Sequence, residues 1–262
     1  MYKRQGGEVT TLAFKPGTAW KYSAEGYSLL QVVVEHLTGK RLDVIIDEQI
    51  IVPFGMSRSS MVWKDTMEPH MAVGHSVYGA PAGIRRRTNP TAAASLYTTA
   101  GDYARFVCAV MNGEGLGAGL RQELFKWQVH MNSEGNIGWG LGFGLQQDND
   151  GISFWQWGDY SIFQGLVVAS TEDRNGIVYL ANSFNGLTLC DALTRAGIGR
   201  SSLGCLELGY QQYDSDFFSL FRAARDNNLY DLEEMLAAAS DADPEFYTPD
   251  QIAGMAMVLE LS

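Results

Sequence analysis

The sequence predicts an α+β fold, in which an antiparallel sheet is flanked by helices. Three observations lead to this class. Apolar residues recur at helical spacing from Gly26 to roughly His130. Between Gly138 and Asn182 the pattern changes to short apolar runs separated by turn-forming residues, which is typical of strands. Helical spacing returns after about Gly204 and indicates a C-terminal helical appendage.

Three helices are predicted in the first half of the chain. The first runs from Gly26 to Gly39, where the glycine is a stop signal, and its apolar positions are Tyr27, Leu30, Val33, Val34 and Leu37. The second covers about Leu42 to Ile51 and ends at Pro53. The third begins after Thr98 or Thr99 as N-cap, and its apolar face consists of Tyr103, Phe106, Val107 and Val110.

Four strands are predicted in the middle of the chain. A glycine-rich strand spans Gly138 to Leu145, and three more cover 152–157, 163–169 and 176–182. The segments 148–151 and 172–176 are rich in Asp, Asn and Gly, which form the tight turns of hairpins.

The composition after Gly204 predicts a second unit. Amphipathic helices are expected over 216–227, 229–239 and from 249 to the end, joined by acidic turns. This arrangement resembles the start of a helical-repeat tail. The predicted division is therefore a domain at residues 1–204 and a helical appendage at 205–262.

Net charge and cysteine content exclude several functional classes. The formal net charge of −11 disfavours nucleic acid and anionic membranes as partners. The odd cysteine count, with Cys108, Cys190 and Cys205, implies no disulfide framework. The histidines lack the spacing of metal ligands, and no cofactor is expected.

No apolar run is long enough to cross a membrane, and residues 1–7 lack the apolar core of a signal peptide. The sequence therefore does not identify the cellular compartment.

Several motifs stand in a recognisable order. Residues 20–30 read W-K-Y-S-A-E-G-Y-S-L-L and follow Pro16-Gly17. This stretch resembles the tyrosine box P-G-x-x-[FW]-x-Y-S-N-x-G-Y-x-L-L of the penicillin-recognising serine hydrolases. That superfamily contains class C β-lactamases, D-Ala-D-Ala carboxypeptidases and β-lactamase-like esterases. Further matches follow at 51–56, at 92–106, at 156–159, where the family has Lys-Thr-Gly or His-x-Gly, and at 182–186.

The resemblance covers about Phe14 to Ala196 and implies acyl transfer through a serine nucleophile. In such a reaction, Lys and Tyr side chains move the serine proton. The resemblance assigns Tyr22 as the proton-transfer residue. It assigns Ala24, Gln156, Trp157 and Gly158 to substrate binding.

This sequence departs from the family pattern at the residues that carry the chemistry. It contains no Ser-x-x-Lys, so the nucleophile and its lysine are absent. Thr18 to Lys21 is a formal variant, but it follows Pro16-Gly17 in a predicted turn. Ala24 replaces the family Asn and can neither donate nor accept a hydrogen bond. Gln156 replaces Lys or His and carries no charge for a substrate carboxylate, whereas Trp157 predicts an apolar wall that suits esters or hydrophobic amides.

Two functional hypotheses follow. The chain is the portion of a β-lactamase-like serine hydrolase that lacks the nucleophile, and its full-length parent hydrolyses an ester or an amide such as a D-amino-acid peptide. Alternatively, it is a complete but catalytically dead relative that binds a partner. A third and remote possibility is a nucleophile elbow at Ser76, whose G-x-S-x-G pattern is broken by Tyr78.

Two further expectations concern surfaces. The basic run from Arg85 to Arg87 is predicted to be a solvated loop. The last strand, about Gly176 to Asn182, is expected to have an uncovered edge, because the family's N-terminal strands normally lie beside it. Such an edge is a template for another chain, so self-association or a covering partner is expected.

Overall fold

A six-stranded antiparallel sheet forms the centre of the computed structural model, which describes residues 14–15, 17–77 and 79–225. A small hairpin of β1 (Gly74–His75) and β2 (Pro81–Gly83) precedes this sheet in the chain. The sheet consists of β3 (Val129–His130), β4 (Ile137–Trp139), β5 (Gly144–Asp148), β6 (Gly151–Asp159), β7 (Gln164–Ser170) and β8 (Asn175–Ala181). Each strand pairs with the next one in the chain, so the sheet is a simple meander. The predicted α+β class is confirmed.

Helices precede and follow the sheet. They are α1 (Ala24–Thr38), α2 (Leu42–Ile46), α3 (Ala100–Asn112), α4 (Ala118–Leu124), α5 (Cys190–Ile198), α6 (Leu203–Glu207) and α7 (Asp216–Arg225). The α2 helix continues through a π-helical turn, Asp47–Ile51, which accounts for the predicted length of the second helix.

Side-chain caps fix where the two longest helices begin. The Ser23 hydroxyl accepts a hydrogen bond from the Gly26 amide at the start of α1, and the Thr99 hydroxyl accepts one from the Asp102 amide at the start of α3. The cap of α3 is therefore Thr99 and not Thr98. Gly39 ends α1 with φ of 66°, a left-handed conformation that glycine adopts without strain.

The predicted glycine-rich strand from Gly138 to Leu145 is wrong as a single element. The chain reverses within it, so that Ile137–Trp139 and Gly144–Asp148 are separate paired strands. The Gly140 amide donates to the Phe143 carbonyl at 2.8 Å, and Gly142 has φ of 92°. Glycine tolerates this conformation better than any other residue. The glycines that suggested a strand thus form a hairpin turn instead.

Each face of the sheet carries its own core. Strand residues on one face pack against α3, and this core contains Val107, Val110, Phe143, Leu145, Phe154 and Val167. Residues on the other face pack against α5 and α6, and this core contains Trp155, Leu166, Val168, Leu187, Cys190 and Cys205. Since neighbouring residues of a strand point to opposite faces, Phe154 and Trp155 belong to different cores.

The C-terminal part of the described chain folds back on the second core. Helix α6 crosses the predicted division between residues 204 and 205, and Cys205 is fully buried. Helix α7 matches the first predicted helix of the appendage. The helices predicted over 229–239 and from 249 onwards lie outside the described residues, so the two-domain division stays a prediction. In the described ranges, no helix combines the length and apolar character that crossing a membrane requires.

Candidate active-site cleft

A cavity of about 860 Å³ lies between the sheet and the helical segment that precedes it. The strand β6 carries the motif at 156–159, where the family has Lys-Thr-Gly or His-x-Gly, and is called the third-box strand below. Its residues from Gln156 to Asp159 form one wall. The opposite wall comes from α2 and its continuation, from 92–99 and from α3. Most of this lining is apolar and includes Ile46, Ile50, Met56, Met61, Tyr103, Phe106, Phe163 and Leu180. Apolar walls with a few polar groups are the usual composition of a ligand site.

The strand alternation of β6 separates two of the predicted site residues. Gln156 is paired with Val167 and lies on the face of the α3 core, whereas Trp157 is paired with Leu166 and packs against the other core. The Gln156 carbonyl oxygen Oε1 is buried and has no hydrogen-bond partner among the residues that the structure describes. A buried acceptor without a donor is uncommon, because its desolvation is not compensated.

Trp157 is oriented by a hydrogen-bonded chain. Its indole Nε1 donates to the Tyr210 hydroxyl at 3.1 Å, and that hydroxyl donates to Asp159 Oδ2 at 3.0 Å. Gly158 lies between them and has open space where a side chain would be. The ring of Trp157 is therefore held in place from the side of the second core.

The tyrosine box meets the third-box strand at Trp157. The rings of Tyr22 and Trp157 have centroids 5.4 Å apart, within the usual range for aromatic pairs. Trp20 lies 5.9 Å from Trp139, which is itself 6.0 Å from Trp157. These aromatic contacts join the chain before α1 to the sheet.

The environment of Tyr22 lacks the partners that proton transfer needs. Its side chain is 51% exposed. Its hydroxyl makes no hydrogen bond to the residues that the structure describes. Ala24 occupies the first position of α1, immediately after the Ser23 cap. Tyr22, Ala24 and Trp157 are thus near one another, whereas Gln156 points into the cavity on the opposite face.

The motif around α3 has a structural explanation. The Asp102 carboxylate is buried and accepts hydrogen bonds from the Arg58 amide at 2.7 Å and the Ser59 hydroxyl at 2.9 Å. Arg105 donates to its other oxygen at 2.5 Å. Asp102 therefore anchors the loop after α2 to α3, and this anchor holds together one wall of the cavity.

The two formal alternatives for a nucleophile lie in turns. Ser76 belongs to the turn between β1 and β2, where its hydroxyl accepts a hydrogen bond from the Ala80 amide at 3.3 Å. Thr18 donates its hydroxyl to the Lys15 carbonyl at 2.7 Å and is not helical, so it does not share a helix face with Lys21. Neither hydroxyl contacts a base among the described residues.

The last matching motif closes one end of the cleft. The Asn182 side chain donates to the Val73 carbonyl at 2.8 Å, and Asn185 donates to the Val77 carbonyl at 3.0 Å. His75 pairs in parallel with Ser183. The segment after β8 therefore holds the β1 hairpin against the sheet.

The basic run at 85–87 lies in a loop in which Arg85 and Arg86 are exposed, as predicted, but two of its arginines also contact a tyrosine of the sheet. The guanidinium carbons of Arg85 and Arg87 lie 4.5 and 5.1 Å from the centroid of the Tyr160 ring. Both arginines line the cavity. Sequence reasoning missed this contact because Tyr160 is 73 residues from Arg87, and no local pattern signals such a pairing.

Comparisons with known proteins agree with the fold and the order of motifs. A family model described as Beta-lactamase matches residues 8–196. Penicillin-binding protein 4* of Bacillus subtilis (strain 168) is 22% identical over 187 residues, which are 64% of this chain and 41% of that protein. The octameric penicillin-binding protein homologue from Pyrococcus abyssi aligns with a TM-score of 0.59 and 19% identity, over 81% of this chain and 48% of that one.

An amidase has the same fold. The D-amino acid amidase from Ochrobactrum anthropi SV3 aligns with a TM-score of 0.56 and 20% identity, over 65% of this chain and 51% of that one. The fold, the motif order and the family match define a β-lactamase-like, penicillin-binding-protein-like chain of the hydrolase superfamily. This chain belongs to the beta-lactamase family. It spans about half the length of the relatives that it matches.

Proposed function

We propose that this chain is the portion of a β-lactamase-like serine hydrolase that builds the substrate wall of the site but does not supply the nucleophile. The observation that carries this proposal is the meeting of the tyrosine box and the third-box strand at Tyr22 and Trp157, in a sequence without Ser-x-x-Lys. In the parent protein, Tyr22 is the proton-transfer residue. Ala24, Gln156, Trp157 and Gly158 lie along the bound substrate.

The proposed substrate class is an apolar ester or amide. An uncharged Gln156 cannot form an ion pair with a substrate carboxylate, and the cavity lining is mainly apolar. One structural relative is a D-amino acid amidase, which is compatible with an amide substrate.

A binding role is the alternative. The cavity and its unpartnered Gln156 carbonyl would suit a catalytically dead relative that holds a ligand without cleaving it. The two proposed functions can be distinguished by adding a separate segment that contains Ser-x-x-Lys. Such a segment should restore turnover to a hydrolase portion but not to a binding protein.

The isolated chain is expected to be inert towards a chromogenic β-lactam and short nitrophenyl esters. A neutral hydroxyl is a weak nucleophile without a base in hydrogen-bond reach, and Ser76 has none among the described residues. Initial rates should equal those of the buffer and of a Tyr22→Phe control. Turnover that saturates with substrate and falls in the Tyr22→Phe variant would contradict the proposal.

We further propose that the chain associates with itself or with a partner that covers the outer edge of β8. This strand ends the sheet, and over residues 175–181 its outer edge pairs with no other strand that the structure describes. The β1 hairpin pairs only with the segment just after it, at Ser183. Helix α1 buries none of its residues and exposes Leu29, Leu30, Val32, Val33 and Leu37. An open edge and an apolar helix face are both surfaces that natural proteins usually cover. The octameric relative is consistent with association in this family.

Light scattering on dilution tests the role of the edge. Leu180 of β8 is 46% exposed at the border of the cavity, and a lysine there should shift the chain towards monomer because charge on an edge strand opposes pairing. Leu120→Lys is the matched control, since Leu120 is 53% exposed on α4, away from β8. Ile177 is unsuitable, because its side chain packs against Gly197 of α5. Identical masses for both variants and the unmodified chain would contradict the edge proposal.

A further inference from the structure

Two arginines enclose one tyrosine at the rim of the cavity. Arg87 donates to the Tyr160 hydroxyl from Nε at 2.8 Å and also from Nη2. Arg85 lies over the ring of the same tyrosine, with its guanidinium carbon 4.5 Å from the centroid. Partial burial alone would raise the pKa of Tyr160, but the hydrogen bonds and charges of the two arginines outweigh it and lower the pKa.

No carboxylate neutralises this pair in the part of the chain that the structure describes. Arg86, between them in sequence, forms an ion pair with Glu68 and lies over Trp63. Asp159 lines the cavity beside Tyr160, but its oxygens accept from the Tyr210 hydroxyl and the Ser161 amide. The guanidinium carbons of Arg85 and Arg87 are at most about 10 Å apart, so the two cations repel each other at short range.

The backbone of the arginine segment is held rigidly. The Tyr97 hydroxyl donates to the Arg85 carbonyl at 2.7 Å and accepts from the Arg87 amide at 2.8 Å. The Trp63 amide donates to the Arg87 carbonyl at 2.6 Å. These bonds fix the backbone at both arginines, and the Tyr160 hydroxyl fixes the Arg87 side chain, which reduces the ordering that binding requires.

The rest of the cavity complements an apolar group. The lining between β6 and the opposite wall is mainly apolar. A ligand that fits both features has an anionic end and an apolar body.

We propose that Arg85 and Arg87 form a binding site for carboxylates that carry an apolar chain, and that this chain lies in the cavity. The arginines supply paired donors for the carboxylate, a geometry for which guanidinium groups are well suited. This inference rests on the proposed function only in treating the cavity as the substrate site, and it assigns the anion contact, which the uncharged Gln156 cannot make, to the arginines beside Tyr160.

Calorimetric titration with N-octanoylglycine, its methyl ester and decanoate tests the site on the full chain. The acid should bind at least about tenfold more tightly than the methyl ester, since the ester lacks the charge that Arg85 and Arg87 recognise. In the Arg85→Gln/Arg87→Gln double variant this preference should disappear. Arg86→Gln, the matched control, should change the affinity by less than about twofold, because its exposed ion pair with Glu68 is outside the cavity.

A second ligand tests whether the charge decides the binding. Decanoate, which carries the same charge on an apolar chain without an amide, should bind the unmodified chain and lose at least about tenfold in affinity in the double variant. Thermal unfolding of each variant establishes that it is folded. Equal binding of acid and methyl ester by the unmodified chain would overturn the inference, whatever the variants do. Hydrolysis of substrates would contradict the proposed inertness without affecting this result, so the two failures are distinguishable.

Discussion

Replacing Trp155 by alanine is expected to lower the free energy of unfolding by about 3–5 kcal/mol, the range for deleting a fully buried large aromatic side chain. Trp155 is completely buried between β5 and α6. A Cβ atom added to Gly144 or Gly204 would lie 2.3 or 2.1 Å from the Trp155 ring. The ring therefore fills the space that a side chain at either position would need. No other side chain can fill this space, and a cavity would remain after the substitution.

Denaturant titration with two matched variants tests this expectation. Trp139→Ala removes a partly buried tryptophan on the same face, whose ring is 5.4 Å from Trp155, and should be clearly less destabilising. Trp155→Phe keeps a ring and removes an indole N–H that has no hydrogen-bond partner in the described part of the chain, so it should also be milder than alanine. Equal losses for Trp155→Ala and Trp139→Ala would mean that Trp155 does not organise the second core.

Replacing Asp102 by alanine is expected to destabilise the chain by about 2–4 kcal/mol, because it leaves the buried donors of Arg58 and Ser59 without an acceptor. The same substitution frees the loop after α2 from α3 and should loosen the cavity wall. Increased amide hydrogen exchange at residues 58–60 would report this loosening.

Arg105→Ala separates the ion pair from the buried hydrogen bonds. The Arg105 side chain is 57% exposed, so its loss should lower the unfolding free energy by no more than about 1 kcal/mol. If Arg105→Ala and Asp102→Ala were equally destabilising, the ion pair and not the loop anchor would explain the aspartate.

Periodicity and capping residues were sufficient to predict most of the secondary structure. The boundaries of α1 and α3 follow from Ser23, Thr99 and Gly39, whose effects are local. The hairpin between β4 and β5 was missed because glycine weakens the strand pattern and also permits a reversal, and the sequence does not separate these two effects. The opposite directions of Gln156 and Trp157 follow from strand alternation and were predictable.

The remaining features of the site depend on long-range contacts. The pairing of Arg85 and Arg87 with Tyr160 and the hydrogen bond from Trp157 to Tyr210 join segments that are far apart in the chain. Residue type alone does not specify such partners. The family resemblance predicted the order of the motifs and the fold. It could not predict that two arginines would lie at the rim of the cavity.

We propose that the chain has the family's substrate wall without its nucleophile. Intact-mass measurement after incubation with a fluorophosphonate probe tests this proposal, because such probes label activated serines covalently. We expect an unchanged mass for the unmodified chain and for Ser76→Ala. Stoichiometric addition of one probe to the unmodified chain would contradict it, and loss of that addition in Ser76→Ala would identify the nucleophile as Ser76.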